Sequence, residues 1–336
     1  MDKEIWLKPK RTCNIGGEAL MEGVMMRGNR TVVSTIRKSS GELVTTTRTY
    51  IPITKRHKIL GLPFIRGGIN MIESMIVGIK ALMESAEYVE FEESESKFDK
   101  WIEKKFGDKS TNIIMYVSVI FALAMGIGLF MLLPNLVADL LPFSKETASG
   151  AFLANIMEGM IRIIIFLAYV WLVSKNKEIR RVFQYHGAEH KTIFAYENMD
   201  ELTVENVRKH TRFHPRCGTT FIFVVVIISI LVFALTGWHS RLLNVVIRLA
   251  LLPVIAGVSY ELFKLAARSE SKLIKLVSYP GILLQRITTQ EPDDSMVEVA
   301  IASLKAVLES EEGENARDEN IQAAECRGPQ AFAGTN

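Results

Sequence analysis

Residues 183–192, F-Q-Y-H-G-A-E-H-K-T, and residues 210–220, H-T-R-F-H-P-R-C-G-T-T, open and close a polar stretch between two apolar runs. Four of the six histidines and one of the three cysteines lie within residues 183–220. Such a density of imidazole and thiol groups is typical of a metal site or an acid–base site. The sequence therefore predicts a chemically active polar loop held between membrane-spanning helices.

The apolar residues, 49% of the 336, are clustered in runs suited to membrane helices of about 20 residues. We predict four transmembrane helices, at residues 113–133, 151–173, 221–235 and 242–263. Charged side chains inside the predicted spans should face protein or water, because their burial in lipid is costly. They are Glu158, Arg162, Arg248 and Glu261. Glu158 and Arg162 are four residues apart and can pair on one helix face.

Lysine and arginine residues cluster on one side of these spans. They lie within residues 100–109, 175–181, 208–216 and 264–275, whereas the opposite loops are short and poor in both. The positive-inside rule then places both termini and residues 183–220 in the cytoplasm. Three scattered cysteines give no disulfide framework, and the first residues contain no apolar core typical of a signal peptide.

The N-terminal region allows two interpretations for residues 16–28, G-G-E-A-L-M-E-G-V-M-M-R-G. If they are helical, Glu18 and Glu22 share one face and need a cation, a proton or a partner such as Arg27. The alternative is a glycine-punctuated turn packed by methionines. Residues 31–37 and 42–53, rich in Thr, Val and Ile, predict a β-hairpin that must pack on another element.

The remaining segments predict a mainly α, polytopic membrane protein with four transmembrane helices, a small cytoplasmic β-hairpin and amphipathic helices. Residues 60–88 have the period of an amphipathic helix at the membrane interface or packed on the membrane domain. Residues 273–284 are amphipathic but broken by the Pro280-Gly281 pair, and a helix is expected at 295–308. The predicted parts are 1–59 (Gly/Met motif and hairpin), 60–110 (amphipathic helices), 111–263 (transmembrane domain), 264–308 (interfacial helices) and 309–336 (disordered tail).

The pattern H-x-x-E-H at His186–His190 predicts a metal site. On a helix, His186 and His190 share one face and can hold one ion. Glu189 could ligate, orient a histidine or act as general base. The same letters form the inverzincin protease signature, but the third ligand of that class cannot be placed here.

The pattern H-x-x-C supplies a second pair, His214 and Cys217, and His210 could substitute for one ligand. All four ligands together would form a closed, structural site for a divalent metal such as Zn²⁺, whereas three ligands with an open position would form a catalytic one. Lys191 and Arg216 could hold an anionic substrate, or they only follow the positive-inside bias. The simplest alternative is that these histidines and arginines meet lipid headgroups or carboxylates without a metal.

Several ordered blocks resemble the YqhQ-like bacterial family, a family of unknown function: residues 16–28, 185–192, 214–219 and 280–294. The resemblance runs from about residue 15 to residue 308. It implies a multi-pass membrane protein of a bacterial cell membrane and a metal-dependent enzyme, without supplying a reaction. The residues in the matching blocks are Glu18, Glu22, Arg27, His186, Glu189, His190, His214, Cys217, Glu291, Asp293 and Asp294.

The leading hypothesis is a metal-dependent, hydrolase-like enzyme at the cytoplasmic membrane interface. His186, His190 and either His214 or Cys217 would ligate, and Glu189 would be the base. The substrate would be amphiphilic or embedded in the membrane. Two alternatives stay open: a scaffold or assembly factor with a structural metal that engages protein, lipid or ribosomal RNA, and a small transporter that uses the charges in the spans and needs a homo-oligomer.

Overall fold

A computed structural model describes residues 10–11, 15–89, 110–142, 146–268 and 271–326. The predicted charged connector at 90–109 lies outside these ranges. The strands are β1 (Gly16–Leu20), β2 (Gly23–Arg27), β3 (Thr31–Arg37) and β4 (Leu43–Thr49). The helices are α1 (Ile53–Arg56), α2 (Ile65–Glu87), α3 (Ser110–Ile127), a π-helical turn (Gly128–Leu132), α4 (Leu133–Asp139), α5 (Ala148–Val173), α6 (Lys177–Glu197), α7 (Val204–Arg208), α8 (Gly218–Ala234), α9 (Arg241–Arg268), α10 (Lys272–Thr288) and α11 (Asp294–Cys326).

The four strands form one antiparallel sheet in the order β1-β2-β3-β4. The predicted hairpin is confirmed as β3 and β4, but the sheet is larger than a hairpin. The helical interpretation of residues 16–28 is wrong, because these residues form β1 and β2. The two strands are joined by a turn at Met21 and Glu22, and Glu22 has a φ of 51°. Strand β2 pairs with β1 on one edge and with β3 on the other, and burial of Met25 and Met26 stabilises the pairing.

The sheet packs on α11 and α6 through fully buried side chains, among them Val24, Val33 and Leu304. Complete burial of such a side chain stabilises the fold by about 1.5–3 kcal/mol. Helix α11 continues to Cys326, past residue 309, where the sequence predicts a disordered tail. The Glu311 carboxylate accepts hydrogen bonds from the amides of Arg30 (2.8 Å) and Thr31 (2.9 Å), which attaches the extended helix to the turn between β2 and β3.

Within the residues that the structure describes, three stretches are long and apolar enough to cross a membrane: Val117–Asp139, Ala148–Val173 and Leu242–Leu265. Helix α8 is apolar but has only 17 residues, so the predicted number of four spans is not confirmed by length. The predicted pairing inside α5 is present, with Arg162 Nη2 2.8 Å from Glu158 Oε1. Arg248 of α9 also donates to Glu158 Oε1 (2.5 Å), which links two of the three stretches.

The polar stretch 183–220 is only partly a loop. Its first residues belong to α6, which begins after Asn176, whose side chain accepts from the Glu178 amide at 2.8 Å and caps the helix. Helix α10 is continuous through Pro280, although the sequence predicts a break there. The adjacent Gly281 explains the close packing of α10 on α8, since a Cβ at this position would lie 2.8 Å from Thr220 Cα.

Helix α2 confirms the amphipathic pattern of residues 60–88 and connects the sheet to α9. At its start, Gly67 lies against Tyr260, and Arg66 donates to both carboxylate oxygens of Glu261 at 2.7 and 2.6 Å. Its outer face carries an apolar stripe in which each side chain is between 46% and 56% exposed: Ile65, Ile72, Met75, Ile76, Ile79 and Met83.

Candidate metal centre

His186, His190 and Cys217 form a compact group. Each offers one ligand atom, and these atoms lie within 4.8 Å of one another. His186 Nε2 lies 3.2 Å from Cys217 Sγ, and the two imidazole rings, one turn apart on α6, have centroids 4.4 Å apart. The structure therefore brings three of the four predicted ligands together, as the helical spacing of the two histidines predicts.

Backbone carbonyl oxygens contact the Nδ1 atoms of both imidazoles. His186 Nδ1 lies 2.8 Å from the carbonyl oxygen of Thr288, and His190 Nδ1 lies 2.6 Å from that of Arg212. A carbonyl can only accept, so each Nδ1 carries a proton, and the lone pair of a neutral ring is then on Nε2. This is the tautomer and outer-shell contact that histidine ligands of metals usually have.

Cys217 is positioned as the N-cap of α8. Its Sγ accepts from the Thr219 amide at 3.4 Å, and the side chain is buried. The N-terminus of a helix favours a negatively charged group, as a thiolate ligand would be.

Two carboxyl groups flank the three ligands. Glu189 is buried, with Oε2 3.4 Å from His190 Nε2, and burial raises its pKa to about 7, while His186 and the Gly17 amide oppose the rise. Glu18 lies near His186 and Glu189; desolvation is the largest influence and raises its pKa, although part of the residue is exposed. The centre can therefore store a proton near neutral pH.

His214 lies beside the group rather than within it. Its ring centroid is 5.6 Å from that of His190, and its Nε2 is 3.7 Å from Glu197 Oε2. Burial lowers the pKa of His214 to about 4, so the ring is neutral at pH 7. Arg216 pairs with the same Glu197 carboxylate. These contacts assign His214 and Arg216 to the wall of the site.

His210 is held elsewhere, with Nε2 2.9 Å from Asp200 Oδ2. Lys191 is buried; its Nζ lies 2.5 Å from Glu291 Oε1 and donates to the Arg208 carbonyl. The structure thus places neither side chain in the group of three ligands.

The remaining candidates stabilise the surrounding fold. Glu22 forms a two-pronged ion pair with Arg181, with both distances 2.5 Å. Arg27 donates to Tyr50 Oη and to Ser74 Oγ. At the start of α11, Asp293 caps the Met296 amide at 3.0 Å, while Asp294 pairs with Arg208.

The donor set suits Zn²⁺. Two ligand atoms on one tetrahedral zinc ion lie about 3.3–3.8 Å apart, given bonds of about 2.0–2.3 Å. Because the three ligand atoms lie within 4.8 Å of one another, a contraction of up to about 1 Å would bring them to this geometry. Two imidazoles and one thiolate leave one position for Glu189 or for a substrate.

Sequence reasoning missed three contributors to this site: Gly17 and the carbonyls of Arg212 and Thr288. Gly17 and Thr288 lie in blocks that carry the family resemblance, but a backbone contact leaves no signal in the type of side chain. No pattern in a single sequence therefore identifies these backbone contacts.

Comparison with known proteins agrees with the resemblance. The family profile described as "Protein of unknown function (DUF1385)" matches residues 62–310. The uncharacterized protein YqhQ of Bacillus subtilis (strain 168) is 35% identical over 304 residues, which cover 88% of this chain and 92% of that protein. No solved structure matches the chain significantly. With a profile match over most of its length and this relative, the chain belongs to the DUF1385 family of proteins of unknown function.

Proposed function

We propose that this protein is a metal-dependent enzyme of the bacterial inner membrane with its reacting centre at the cytoplasmic interface. One observation carries the proposal: one ligand atom each of His186, His190 and Cys217 lie within 4.8 Å of one another, beside the carboxyl groups of Glu189 and Glu18. Three protein ligands with an open position are typical of catalytic rather than structural zinc.

A divalent metal, when bound, would supply a Lewis acid. Glu189, with a pKa of about 7, accepts and returns a proton near neutral pH and is the general base of the proposal. The backbone carbonyls behind His186 and His190 fix the rings, so that no ligand has to reorient during a reaction. Together these roles support a hydrolase-like reaction.

We further infer that α8 is the fourth span. Its Phe233 ring lies 5.3 Å from Arg162 Cζ of α5 and 5.4 Å from Arg248 Cζ of α9, so α8 packs between two helices that qualify as spans. Seventeen helical residues reach about 25 Å, close to the ~30 Å of the hydrocarbon core.

Cys217, as the N-cap of α8, then lies at one membrane face. The lysines and arginines in residues 175–181 and 208–216 support a cytoplasmic position for that face. A site at this depth suits an amphiphilic or membrane-embedded substrate.

Metal analysis of protein purified without chelators tests the proposal. We expect about one ion per chain in the wild type, and its loss in His186→Ala, His190→Ala and Cys217→Ser. His210→Ala is the matched control, because that histidine pairs with Asp200 away from the ligands. Wild-type protein without stoichiometric metal would refute the proposal.

The second candidate is a scaffold with a structural metal, favoured by the 3.4 Å between Glu189 Oε2 and His190 Nε2. At that distance Glu189 can close the site as a fourth ligand. Glu189→Gln separates the two functions. Near-normal metal affinity in this variant supports a base, whereas a large loss of affinity supports a closed site.

A further inference from the structure

Gln285 of α10 is completely buried, and its side-chain amide is hydrogen-bonded at both ends. Its Oε1 accepts from the His214 amide at 2.8 Å. Its Nε2 donates to the His214 carbonyl at 2.8 Å and to Thr220 Oγ1 at 3.0 Å. A buried amide with three such bonds fixes the conformation of the segment it contacts.

The two residues that Gln285 contacts lie on either side of Cys217. The Cys217 amide itself donates to the His214 carbonyl at 3.3 Å, so Gln285 and Cys217 share one acceptor. The Cys217 thiol has few internal degrees of freedom, and its position follows the backbone of residues 214–220. Gln285 therefore sets where Sγ lies relative to His186.

The end of α10 also reaches both histidine ligands. The Thr288 carbonyl accepts from His186 Nδ1, as described above. Thr289 Oγ1 accepts from Arg212 Nη1 at 3.2 Å, and the Arg212 carbonyl accepts from His190 Nδ1. The final turn of α10 is thus connected to all three ligands through short chains of hydrogen bonds.

This helix end is itself fixed against α6. The Gln290 amide donates to the Phe183 carbonyl at 2.8 Å, and a Cβ added at Gly187 would collide with the Gln290 carbonyl oxygen. These two contacts leave α10 little freedom to slide along α6. The hydrogen bonds that α10 makes near the ligands therefore keep a fixed position relative to α6.

We propose that Gln285 is a positioning residue of the metal centre, which holds Cys217 in ligand geometry and thereby sets the affinity for the ion. The inference rests on the proposed metal site. Loss of outer-shell partners of this kind lowers metal affinity by about 10–100-fold.

The test compares Gln285→Leu with Ser303→Ala in the full-length protein. The leucine has a similar size and removes all three bonds. The alanine removes a fully buried hydroxyl of α11 that donates to the Val24 carbonyl at 3.0 Å and to the Val33 carbonyl at 3.3 Å, where α11 packs on the sheet. The Zn²⁺ dissociation constant is measured by competition with a chelating dye. We expect a weakening of about 10–100-fold for Gln285→Leu and less than about twofold for Ser303→Ala.

Cobalt-substituted protein provides a readout that a purely structural role would not change. With saturating Co²⁺, Gln285→Leu should lose part of the thiolate-to-cobalt absorption band, while the band of Ser303→Ala should match that of the wild type. Thr220→Val, which removes one bond of the three, should give a smaller loss of affinity and decides the test if Gln285→Leu does not fold.

An unchanged affinity and cobalt band in Gln285→Leu, or in Thr220→Val where it replaces that variant, would overturn the role of Gln285 while the wild type still binds zinc. If the wild type bound no zinc, or bound it with the same dissociation constant as His186→Ala, the result would instead refute the metal site itself.

Discussion

Gly17 of β1 lies directly against the side chain of Glu189 on α6. A Cβ at position 17 would be 2.5 Å from Glu189 Cγ and 2.7 Å from its Oε1, and the Gly17 amide donates to the carboxylate. The sheet therefore forms one wall of the candidate centre, although β1 lies outside the residues matched by the family profile.

The first prediction concerns this contact. Gly17→Ala should displace the buried Glu189 side chain and lower the stability by about 1–3 kcal/mol, as overpacking in a core does. Gly16→Ala is the matched control, because a Cβ at that position would have no atom of the described residues within 4 Å, apart from its chain neighbours. Thermal unfolding in detergent measures both variants. Equal midpoints would contradict the contact.

A second prediction uses two glycines of α2. Alanine in place of glycine inside a helix stabilises it by about 0.5–1 kcal/mol. Gly68→Ala should show this gain, since in the part of the chain that the structure describes a Cβ there meets no atom within 4 Å outside its own helix backbone and chain neighbours. Gly78→Ala should not, because its Cβ would collide with the Glu18 carboxylate. If both variants gained the same stability in thermal unfolding, Glu18 would not lie against α2.

These contacts show why the sequence predicts only part of the site. The three- and four-residue apolar period gives the long helices, and the spacing of His186 and His190 puts both rings on one face. Strands β1 and β2 together contain a single β-branched residue, Val24, so their strand character depends on pairing within the sheet, of β1 with β2 and of β2 with β3.

The choice between His214 and Cys217 also lies beyond local pattern. Both belong to one H-x-x-C segment, and either spacing suits zinc. The structure places Cys217 among the ligands because Gln285, 68 positions further along the chain, fixes the path of the segment. Tertiary contacts of this kind leave no periodicity in the sequence.

A third prediction concerns the charges between the apolar helices. Glu158→Leu would leave Arg162 and Arg248 buried without their shared carboxylate, at a cost of about 3–5 kcal/mol. Replacement of all three residues by leucine should recover most of the loss, since an apolar core of similar volume avoids the desolvation cost. Thermal unfolding in detergent compares these variants with the exposed control Glu205→Gln. If Glu158→Leu were as stable as Glu205→Gln, the ion pairs of Glu158 would contribute little to stability.

A fourth prediction addresses the apolar stripe of α2. Its side chains are about half exposed, and the exposed basic residues 55–58 lie next to its start, so we expect the stripe to lie in the interface of an anionic membrane. Nitroxide labels at Ile76 and Ile79, in a variant with native cysteines replaced by serine, should collide with oxygen more than with a water-soluble nickel chelate in liposomes. A label at exposed Lys209 should show the reverse. Protection of the stripe from both reagents would indicate a protein partner instead of lipid.

The fifth prediction follows from two buried groups of the metal-free protein whose pKa values move in opposite directions. Burial raises the pKa of Glu189 from 4.5 to about 7, so the folded state binds more protons than the unfolded state in this window, and stability falls as pH rises through it. Burial lowers the pKa of His214 from 6.5 to about 4, so stability rises as pH rises from 4 to 6.5.

In the wild type the two contributions oppose each other between pH 4.5 and 6.5, where the windows overlap. Glu189→Gln removes one of them, so the variant should gain stability relative to the wild type as pH rises across this range. Each pKa unit corresponds to about 1.4 kcal/mol, so the gain is at most about 3 kcal/mol. Denaturant unfolding of the metal-free protein at both pH values measures it, with Glu205→Gln as the exposed control. Parallel pH profiles for Glu189→Gln and the wild type would show that Glu189 titrates as an ordinary surface carboxyl, which would remove it as the base of the proposed enzyme.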